Sequence, residues 1–273
     1  MDGKKTVVVT GSNKGIGYAI IERVAKDHPN YEFVMAVRTV SNGEEAVKKL
    51  IQSSPDIEKR IRIEKLDVSN SDSIDKFVSR IGNIDILVNN AGTAAKGDNF
   101  DGKIVQDTFQ TNFYGTVELS EKMIPNINNN GKIITVGSTS GKSERLKSDK
   151  LKESFRDPNI TRAKLFDLAK LFYDSVVDDT FEEKGFPRQG YAMSKLCINT
   201  YARILGRQKE VLDKNIQVYV FCPGWCRTDM AGDKAPKSAE DGADTCAYLV
   251  DLPFEINKDF QGHFFHDRKI ISI

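Results

Sequence analysis

Short runs of β-branched and aliphatic residues recur along the chain, at 6–10, 32–37, 61–66, 84–88, 132–136, 216–221 and 262–265, and longer stretches of helical period separate them. Several of these runs, such as Val7-Val8-Val9, are apolar at consecutive positions, which predicts strands covered on both faces. Each connection has room for a crossover helix, so the pattern predicts an α/β fold with a doubly wound, seven-stranded, mainly parallel sheet. Asn128-Asn129-Asn130-Gly131 reads as a turn into the fifth strand. The rhythm breaks once, at the charge-dense segment 142–184. Inside it Leu165, Leu168, Ala169, Phe172 and Val176 recur at helical spacing behind Thr161, a residue suited to capping. A helical insertion packed on the body is expected there, with a solvated linker as the alternative.

Composition narrows the function classes. A length of 273 residues suits one large α/β domain spanning 1–273. With 40 basic and 39 acidic residues the net charge is +1, so no whole-molecule field exists to hold nucleic acid or an anionic membrane. The longest uncharged stretch, 215–226, has 12 residues, where a spanning helix needs about 20 apolar ones. Met1 leads past two lysines into the first strand without a secretory or transit pattern, which makes a cytoplasmic location the expectation. Four scattered cysteines, Cys197, Cys222, Cys226 and Cys246, fit a reducing compartment and no disulfide framework.

The first candidate chemistry follows the first strand directly, in Thr10-Gly11-Ser12-Asn13-Lys14-Gly15-Ile16-Gly17. A strand, a glycine turn and a helix in this order can cradle a pyrophosphate. Glycines permit the tight turn, and the free N–H groups of the helix start favour an anion. The spacing G-x-x-x-G-x-G departs from the common dinucleotide fingerprint, and a turn that merely joins strand to helix is the plain alternative. No Asp or Glu occurs from Phe33 to Asn42 to bind a ribose 2′-hydroxyl. Arg38 and Lys14 could instead converge on a 2′-phosphate, which favours NADP(H) over NAD(H).

Tyr191 and Lys195 stand four residues apart in a run predicted to be helical to about Gly206, and so share one helix face. A phenol ionises near pH 10, and a neighbouring ammonium would make it a usable acid or base. Together with the glycine turn, this pair resembles the short-chain dehydrogenase/reductase family over nearly the whole chain. The same order of motifs continues in Asp67-Val68, in Asn89-Asn90-Ala91-Gly92, in Asn112, in Ser138 and in Pro223-Gly224.

The resemblance implies a Rossmann-type fold and a division of labour. Gly11, Asn13, Lys14, Gly15, Ile16, Gly17 and Arg38 would bind NADPH/NADP+ at its phosphates, and Asp67 and Val68 at its adenine. Asn90, Ala91 and Gly92 would line the cofactor cleft, and Pro223, Gly224 and Thr228 would meet the nicotinamide. Tyr191 would protonate the carbonyl oxygen, Ser138 would orient it, Lys195 would hold the ribose and lower the Tyr191 pKa, and Asn112 would position a relay water. The long gap between Ser138 and Tyr191 resembles that of cytosolic NADPH-dependent carbonyl reductases, a layout that plant terpenoid and alkaloid reductases share. In such relatives the insertion covers the family's dimerisation face, so a monomer with a small-molecule carbonyl substrate is expected. Gly137 replaces a serine common in carbonyl reductases and is expected to loosen the loop. Residues 225–240 are read as a substrate lid, with Trp225 and Met230 facing the substrate beside Ser138 and Tyr191, and 94–96 as the opposite rim.

Other signals carry less. Gly137-Ser138-Thr139-Ser140-Gly141-Lys142-Ser143 is one residue short of a P-loop, and Thr139 stands where a hydrolase elbow needs serine. His263 and His266 read as structural and no metal is expected. Cys222 and Cys226 read as packing, although Cys226 could lie near the pocket. A non-catalytic NADP-binding redox sensor is the rival from another class, and a reductase dedicated to one terpenoid or alkaloid ketone is the rival within the enzymes. A sensor of this kind usually lacks the tyrosine that is retained here.

Overall fold

In a computed structural model, which describes residues 4–95, 97, 99–253 and 260–273, the apolar runs form one sheet. Its strands are β1 (Thr6–Thr10), β2 (Glu32–Val37), β3 (Ile61–Lys65), β4 (Ile84–Asn89), β5 (Ile127–Val136), β6 (Gln217–Cys222), β7 (Phe264–His266) and β8 (Lys269–Ile271). They lie in the order β3-β2-β1-β4-β5-β6-β7-β8, all parallel except the last pair. Consecutive apolar residues serve opposite faces, because successive side chains of a strand point to opposite sides. Val7 and Val9 pack with α1 (Gly15–Asp27), α2 (Val40–Ser53) and α10 (Ala239–Asp251). Val8 packs on the other side, which is covered by α3 (Ser71–Ile81), α4 (Gly102–Phe109), α5 (Thr116–Met123) and α8 (Gly190–Leu205).

The sheet has eight strands where seven were expected. Asp267 and Arg268, at φ of 48° and 62°, make the two-residue turn that sends β8 back along β7. Asp tolerates the left-handed region, but Arg is not a usual residue there. Here Lys237 Nζ donates to Asp267 Oδ1 at 2.6 Å and Arg268 Nε to Asp244 Oδ2 at 2.7 Å, so tertiary ion pairs hold what local propensity would not. The asparagine run is likewise part of β5 and not a turn before it. Its register against β4 shifts between Ile84 and Ile86, with Asn130 at φ 62°, so the extra residues form an irregularity within the strand.

The insertion is packed, and the solvated-linker alternative is overturned. It contains α6 (Asp149–Arg156), capped by Ser148, and α7 (Arg162–Val177), capped by Thr161 as the sequence implied. Leu165, Leu168, Ala169 and Phe172 are buried against α4 and α8, and Phe172 joins an aromatic cluster with Phe100, Phe109 and Phe186. Helix α6 had no visible pattern, because only Leu151 and Phe155 of its residues are buried. A short helix α9 (Lys209–Asp213) precedes β6.

One buried cation secures the frame. Lys132 of β5 is fully buried, and its ammonium donates to the carbonyls of Leu249, Val250 and Leu252, closing the C-terminal end of α10. The sheet reverses its winding between β1 and β4, and the loops after β1, β4, β5 and β6 meet at that edge, where open α/β sheets form their crevice.

Candidate active site

At the end of β1 the chain passes through Gly11 and Gly15 at φ of 62° and 57°, a left-handed conformation that side chains disfavour. A Cβ on Gly11 would stand 2.9 Å from Ala91 Cα, and one on Gly17 would stand 2.4 Å from Asn90 Nδ2. The turn after β4 is stitched to this one. Asn90 N and Ala91 N donate to Thr10 Oγ1 at 3.0 and 2.9 Å, while Asn90 Nδ2 donates to the carbonyls of Thr10 and Gly11 at 2.8 and 3.1 Å. Asn90 thus spends its donors on shaping the glycine turn.

Helix α1 has Lys14 as its N-cap, with no side-chain cap, as is also true of α2, α5, α8 and α9, and no carboxylate in its first turn. Uncapped amides behind close-packed glycines are the donor set a pyrophosphate requires, so this end of the crevice fits a dinucleotide. Asn13 and Ile16 lie in the same turn. Arg38 is exposed at the end of β2. Lys14 is also exposed, but its Nζ lies 2.6 Å from Asp229 Oδ2, a pairing the sequence did not suggest. Asp67 Oδ1 accepts from Ser69 N and Oγ at 3.0 and 2.6 Å, and Val68 is buried beside it. A Cβ on Gly115 would lie 1.7 Å from the Val68 carbonyl oxygen, so this backbone contact admits only glycine.

The catalytic candidates converge on the face of α8 below β5. Tyr191 and Lys195 sit one turn apart in that helix, with Lys195 Nζ 5.8 Å from the centre of the Tyr191 ring. Lys195 is buried, and its ammonium donates to Val136 O at 2.7 Å. Burial pushes its pKa down to about 8. Burial also raises the Tyr191 phenol to about 12, against a smaller lowering effect of the Ser138 hydroxyl. The protein by itself therefore stores Tyr191 as a protonated phenol.

Ser138 is held by a residue that the sequence reading missed. Asn199, one turn beyond Lys195, donates through Nδ2 to the carbonyls of Ser138 and Gly141, both at 3.0 Å. A Cβ on Gly137 would stand 2.2 Å from Asn199 Oδ1 and 2.7 Å from Val220 Cγ2. Gly137 therefore does not loosen the loop as expected; it lets Asn199 pin it. A Cβ on Gly141 would meet the Lys195 carbonyl carbon at 2.4 Å, so the loop lies flush on α8. The available signal was Asn199 itself, a polar residue four positions after Lys195 in an otherwise apolar run.

Asn112 lies in a π-helical stretch, Gln110–Gly115, of the kind often found at functional sites. It is buried; Oδ1 accepts from Thr93 N at 2.8 Å, and Nδ2 donates to Thr93 O at 2.8 Å and Ser194 Oγ at 3.1 Å. A Cβ on Gly92 would come within 3.3 Å of Asn112 Oδ1 and 3.8 Å of Lys195 Nζ, so Gly92 keeps the ground between them open.

After β6 the segment 225–240 is a loop closed at its base, where Arg227 N donates to Lys237 O at 2.8 Å and Lys237 N to Trp225 O at 3.2 Å. Thr228 packs its methyl against Gly15, 3.2 Å from the position of a Cβ there, and so joins the loop to the glycine turn. Pro223 and Gly224, the latter at φ 85°, open this loop. Trp225 and Met230 are exposed. Cys222 and Cys226 are buried free thiols, and burial raises the Cys226 pKa, so Cys226 is not primed as a nucleophile. His266 Nδ1 is 3.2 Å from Cys222 O, and no metal-ligating cluster occurs among the described residues.

A cavity of about 400 Å³ opens on Tyr191. Its walls include Ala95 from the expected rim, Phe100 and Ile104 from the start of α4, and Ser140, Arg145, Arg188 and Gln189. Trp225 and Met230 are not among its described walls, and Lys96 of the rim lies outside the described residues.

Known proteins resemble this chain in sequence and fold. The family model for short chain dehydrogenases matches residues 5–148. Carbonyl reductase (NADPH) 1 of Mus musculus is 34% identical over 98% of both chains. Among solved structures, salutaridine reductase from Papaver somniferum matches with a TM-score of 0.82 at 25% identity, covering 96% of this chain and 99% of that one. Menthone neomenthol reductase from Mentha piperita matches in fold, with a TM-score of 0.80 at 23% identity over 97% and 99% of the two chains.

Proposed function

The chain belongs to the short-chain dehydrogenase family, and from that premise we propose that it reduces ketones, aldehydes and quinones to alcohols with NADPH, using Tyr191 as the proton donor. It is an NADPH-dependent reductase of carbonyl compounds. The amides of Gly11, Asn13, Gly15, Ile16 and Gly17 would hold the pyrophosphate, and Lys14 and Arg38 the 2′-phosphate. Asp67 and Val68 would flank the adenine, Asn90, Ala91 and Gly92 the cleft wall, and Pro223, Gly224 and Thr228 the nicotinamide. When bound, NADPH supplies the hydride that adds to the carbonyl carbon.

The chain's own residues do the rest. Ser138 and Tyr191 would present two hydroxyls that fix the carbonyl oxygen. As negative charge grows there, the phenol proton moves from Tyr191 Oη to that oxygen and completes the alcohol. Lys195 holds the ribose and stabilises the phenolate left behind, because a buried ammonium acts strongly in a poorly hydrated site. Asn112 positions the water from which Tyr191 recovers its proton. Trp225 and Met230, at the edge of the 225–240 lid, complete the substrate side.

A buried Lys195 one helical turn from Tyr191, with Tyr191 at the wall of a cavity, is the observation that carries this reading. Its test is NADPH consumption across quinones, aromatic aldehydes, and steroid and terpenoid ketones. Tyr191→Phe should lower turnover by about 10²–10⁴-fold with NADPH affinity kept. Turnover near the parent's would overturn the assignment. The likeness to salutaridine reductase favours, as a second reading, a reductase dedicated to one alkaloid or terpenoid ketone; activity on a single member of the panel would select it. Helix α7 lies over α4 and α8, which supports a monomer, and a dimer by light scattering would refute it. The four free buried cysteines agree with a cytoplasmic location, which microscopy of a tagged chain would test.

A further inference from the structure

The hydroxyl-rich run Gly137-Ser138-Thr139-Ser140-Gly141 is neither a P-loop nor a hydrolase elbow, yet it is closely held. Gly141 N donates to Ser138 O at 3.0 Å, and Ser140 N donates to Ser138 Oγ at 3.1 Å, so a β-turn and a serine turn share the same four residues. Asn199 holds the turn through the carbonyls of Ser138 and Gly141, and Gly141 lies flush on α8. The hydroxyls of the turn are thereby sent to different places. Thr139 Oγ1 lies 3.6 Å from the Cys222 thiol. Ser140 Oγ lies 2.7 Å from Ser138 Oγ, and Ser140 is a wall residue of the cavity that opens on Tyr191.

A serine hydroxyl has one proton to give and two lone pairs to fill. The Ser140 N–H fills one lone pair of Ser138 Oγ. The contact between the two hydroxyls can run in either direction. Were Ser138 the donor, its single proton would lie on Ser140 and none would remain for a substrate oxygen. With Ser140 as the donor, both lone pairs of Ser138 are filled by Ser140, and the Ser138 proton is free to point at the reacting oxygen. Filled lone pairs have a second consequence: Ser138 then has no acceptor site for the Tyr191 proton, and the phenol keeps it for the substrate. Each accepted bond also polarises the Ser138 O–H, which makes it a stronger donor as negative charge grows on the carbonyl oxygen.

We propose that Ser140 is a positioning residue of the reaction: its hydroxyl and its backbone N–H both donate to Ser138 Oγ and so direct the Ser138 proton to the carbonyl oxygen. This deepens the reductase reading and rests on it for the roles of Ser138 and Tyr191. The reaction is unchanged in its balance: hydride to carbon, the Tyr191 proton to oxygen, and the Ser140 proton retained throughout.

The experiment uses the aldehyde or quinone that the parent reduces fastest, at saturating NADPH. Ser140→Ala removes the hydroxyl donor and keeps the N–H. It should lower kcat by about fivefold, the effect of one neutral hydrogen bond, with the substrate KM and the NADPH dissociation constant each within about twofold of the parent's. Ser140→Thr, which retains a hydroxyl, should recover at least about half of the parent kcat. The decisive arm is a double-mutant cycle. Once Ser138 is alanine, the Ser140 hydroxyl has nothing to direct, so the double variant Ser138→Ala, Ser140→Ala should match Ser138→Ala within about twofold. A further loss of about fivefold in the double variant would make Ser140 a substrate contact in its own right and overturn the proposal. So would a Ser140→Ala enzyme with the parent kcat. A thermal midpoint that drops by more than about 2 °C in Ser140→Ala, with Ser140→Thr equally slow, would assign Ser140 to the fold and overturn it as well. Failure of the reductase reading has a different signature. Tyr191→Phe at the parent rate would break that reading and the role of Ser140 with it, whereas a slow Tyr191→Phe beside a fast Ser140→Ala would break the role of Ser140 alone.

Discussion

The cofactor side of the crevice and the substrate side are built from different materials. On the cofactor side, backbone meets backbone. Gly11 lies against Ala91, Gly17 under Asn90, and Gly115 against the Val68 carbonyl, with Thr10 and Asn90 tying the two turns together. On the substrate side, long side chains arrive from distant segments: Phe100 from before α4, and Arg145 and Arg188 from the ends of the insertion. A dinucleotide pyrophosphate is recognised by amides that must approach closely, and only glycine allows that. A carbonyl substrate is recognised by shape and charge, which many sequences can supply. The first side should therefore fail abruptly when a methyl group is added, and the second should respond in graded fashion.

The largest expected effect tests the abrupt side. Gly115→Ala places a Cβ 1.7 Å from the Val68 oxygen, and neither partner is a side chain that can turn away. The π-helical stretch must shift, at a cost of about 3 kcal/mol or more. The urea midpoint should drop, and NADPH affinity should drop with it because Val68 moves. A variant as stable as the parent would show that the backbone contact is not a constraint.

Next in size is pH. Burial lowers the Lys195 pKa to about 8, so its charge is present below that pH and lost above it. Tyr191, raised to about 12, keeps its proton over the whole working range. Reductive turnover should therefore show one alkaline limb with a midpoint near 8, falling about tenfold per unit beyond it. Stability should run the other way. A lysine whose folded pKa lies below its unfolded value binds fewer protons when folded, so its burial penalty is relieved as pH rises from about 8 towards 10.5. Turnover that falls in this window while the thermal midpoint holds would identify loss of charge and not unfolding. A flat pH–rate profile from 7 to 10 would remove Lys195 from the reaction.

The contrast between the two sides also explains what was legible from residues alone. Strands, winding, the glycine turn and the Tyr191 to Lys195 spacing are local patterns, and each stands where the hydrophobic period put it. Strand β8 was not visible because its turn, Asp267-Arg268, is maintained by ion pairs to Lys237 and Asp244 and not by its own propensity. Helix α6 carries too few apolar residues to show a period. Arg145 and Arg188 looked like ordinary surface charges, because nothing local reveals that 42 intervening residues fold back to place both at one cavity. Gly137 misled for a related reason: its meaning depends on Asn199, 62 positions later.

Asn199 gives the graded effect its cleanest probe. Asn199→Leu keeps the volume and removes both donors to the Ser138 loop, one at each 3.0 Å bond. It should lower kcat by about tenfold, since Ser138 would no longer be held at the reacting oxygen. The NADPH dissociation constant should stay within about twofold, and Asn199→Gln should not restore the rate because its amide reaches too far. A change in NADPH affinity as large as the change in kcat would mean that Asn199 supports the fold generally and is not a positioning residue.

The smallest effect concerns an ion pair that crosses between the sides. Lys14 belongs to the glycine turn and Asp229 to the lid, and their ion pair at 2.6 Å joins a cofactor-binding cation to a substrate-side loop. Both side chains are mostly exposed, at 65% and 76%, so the pair contributes about 0.2–1 kcal/mol. A 2′-phosphate would compete with Asp229 for the same ammonium, whereas a 2′-hydroxyl would not. Asp229→Asn should therefore tighten NADPH by about two- to fivefold, with NADH unaffected, and the gain should vanish in high salt. Equal tightening of both dinucleotides would place the effect in the lid's packing against Gly15, and the two sides would then be coupled by shape and not by charge.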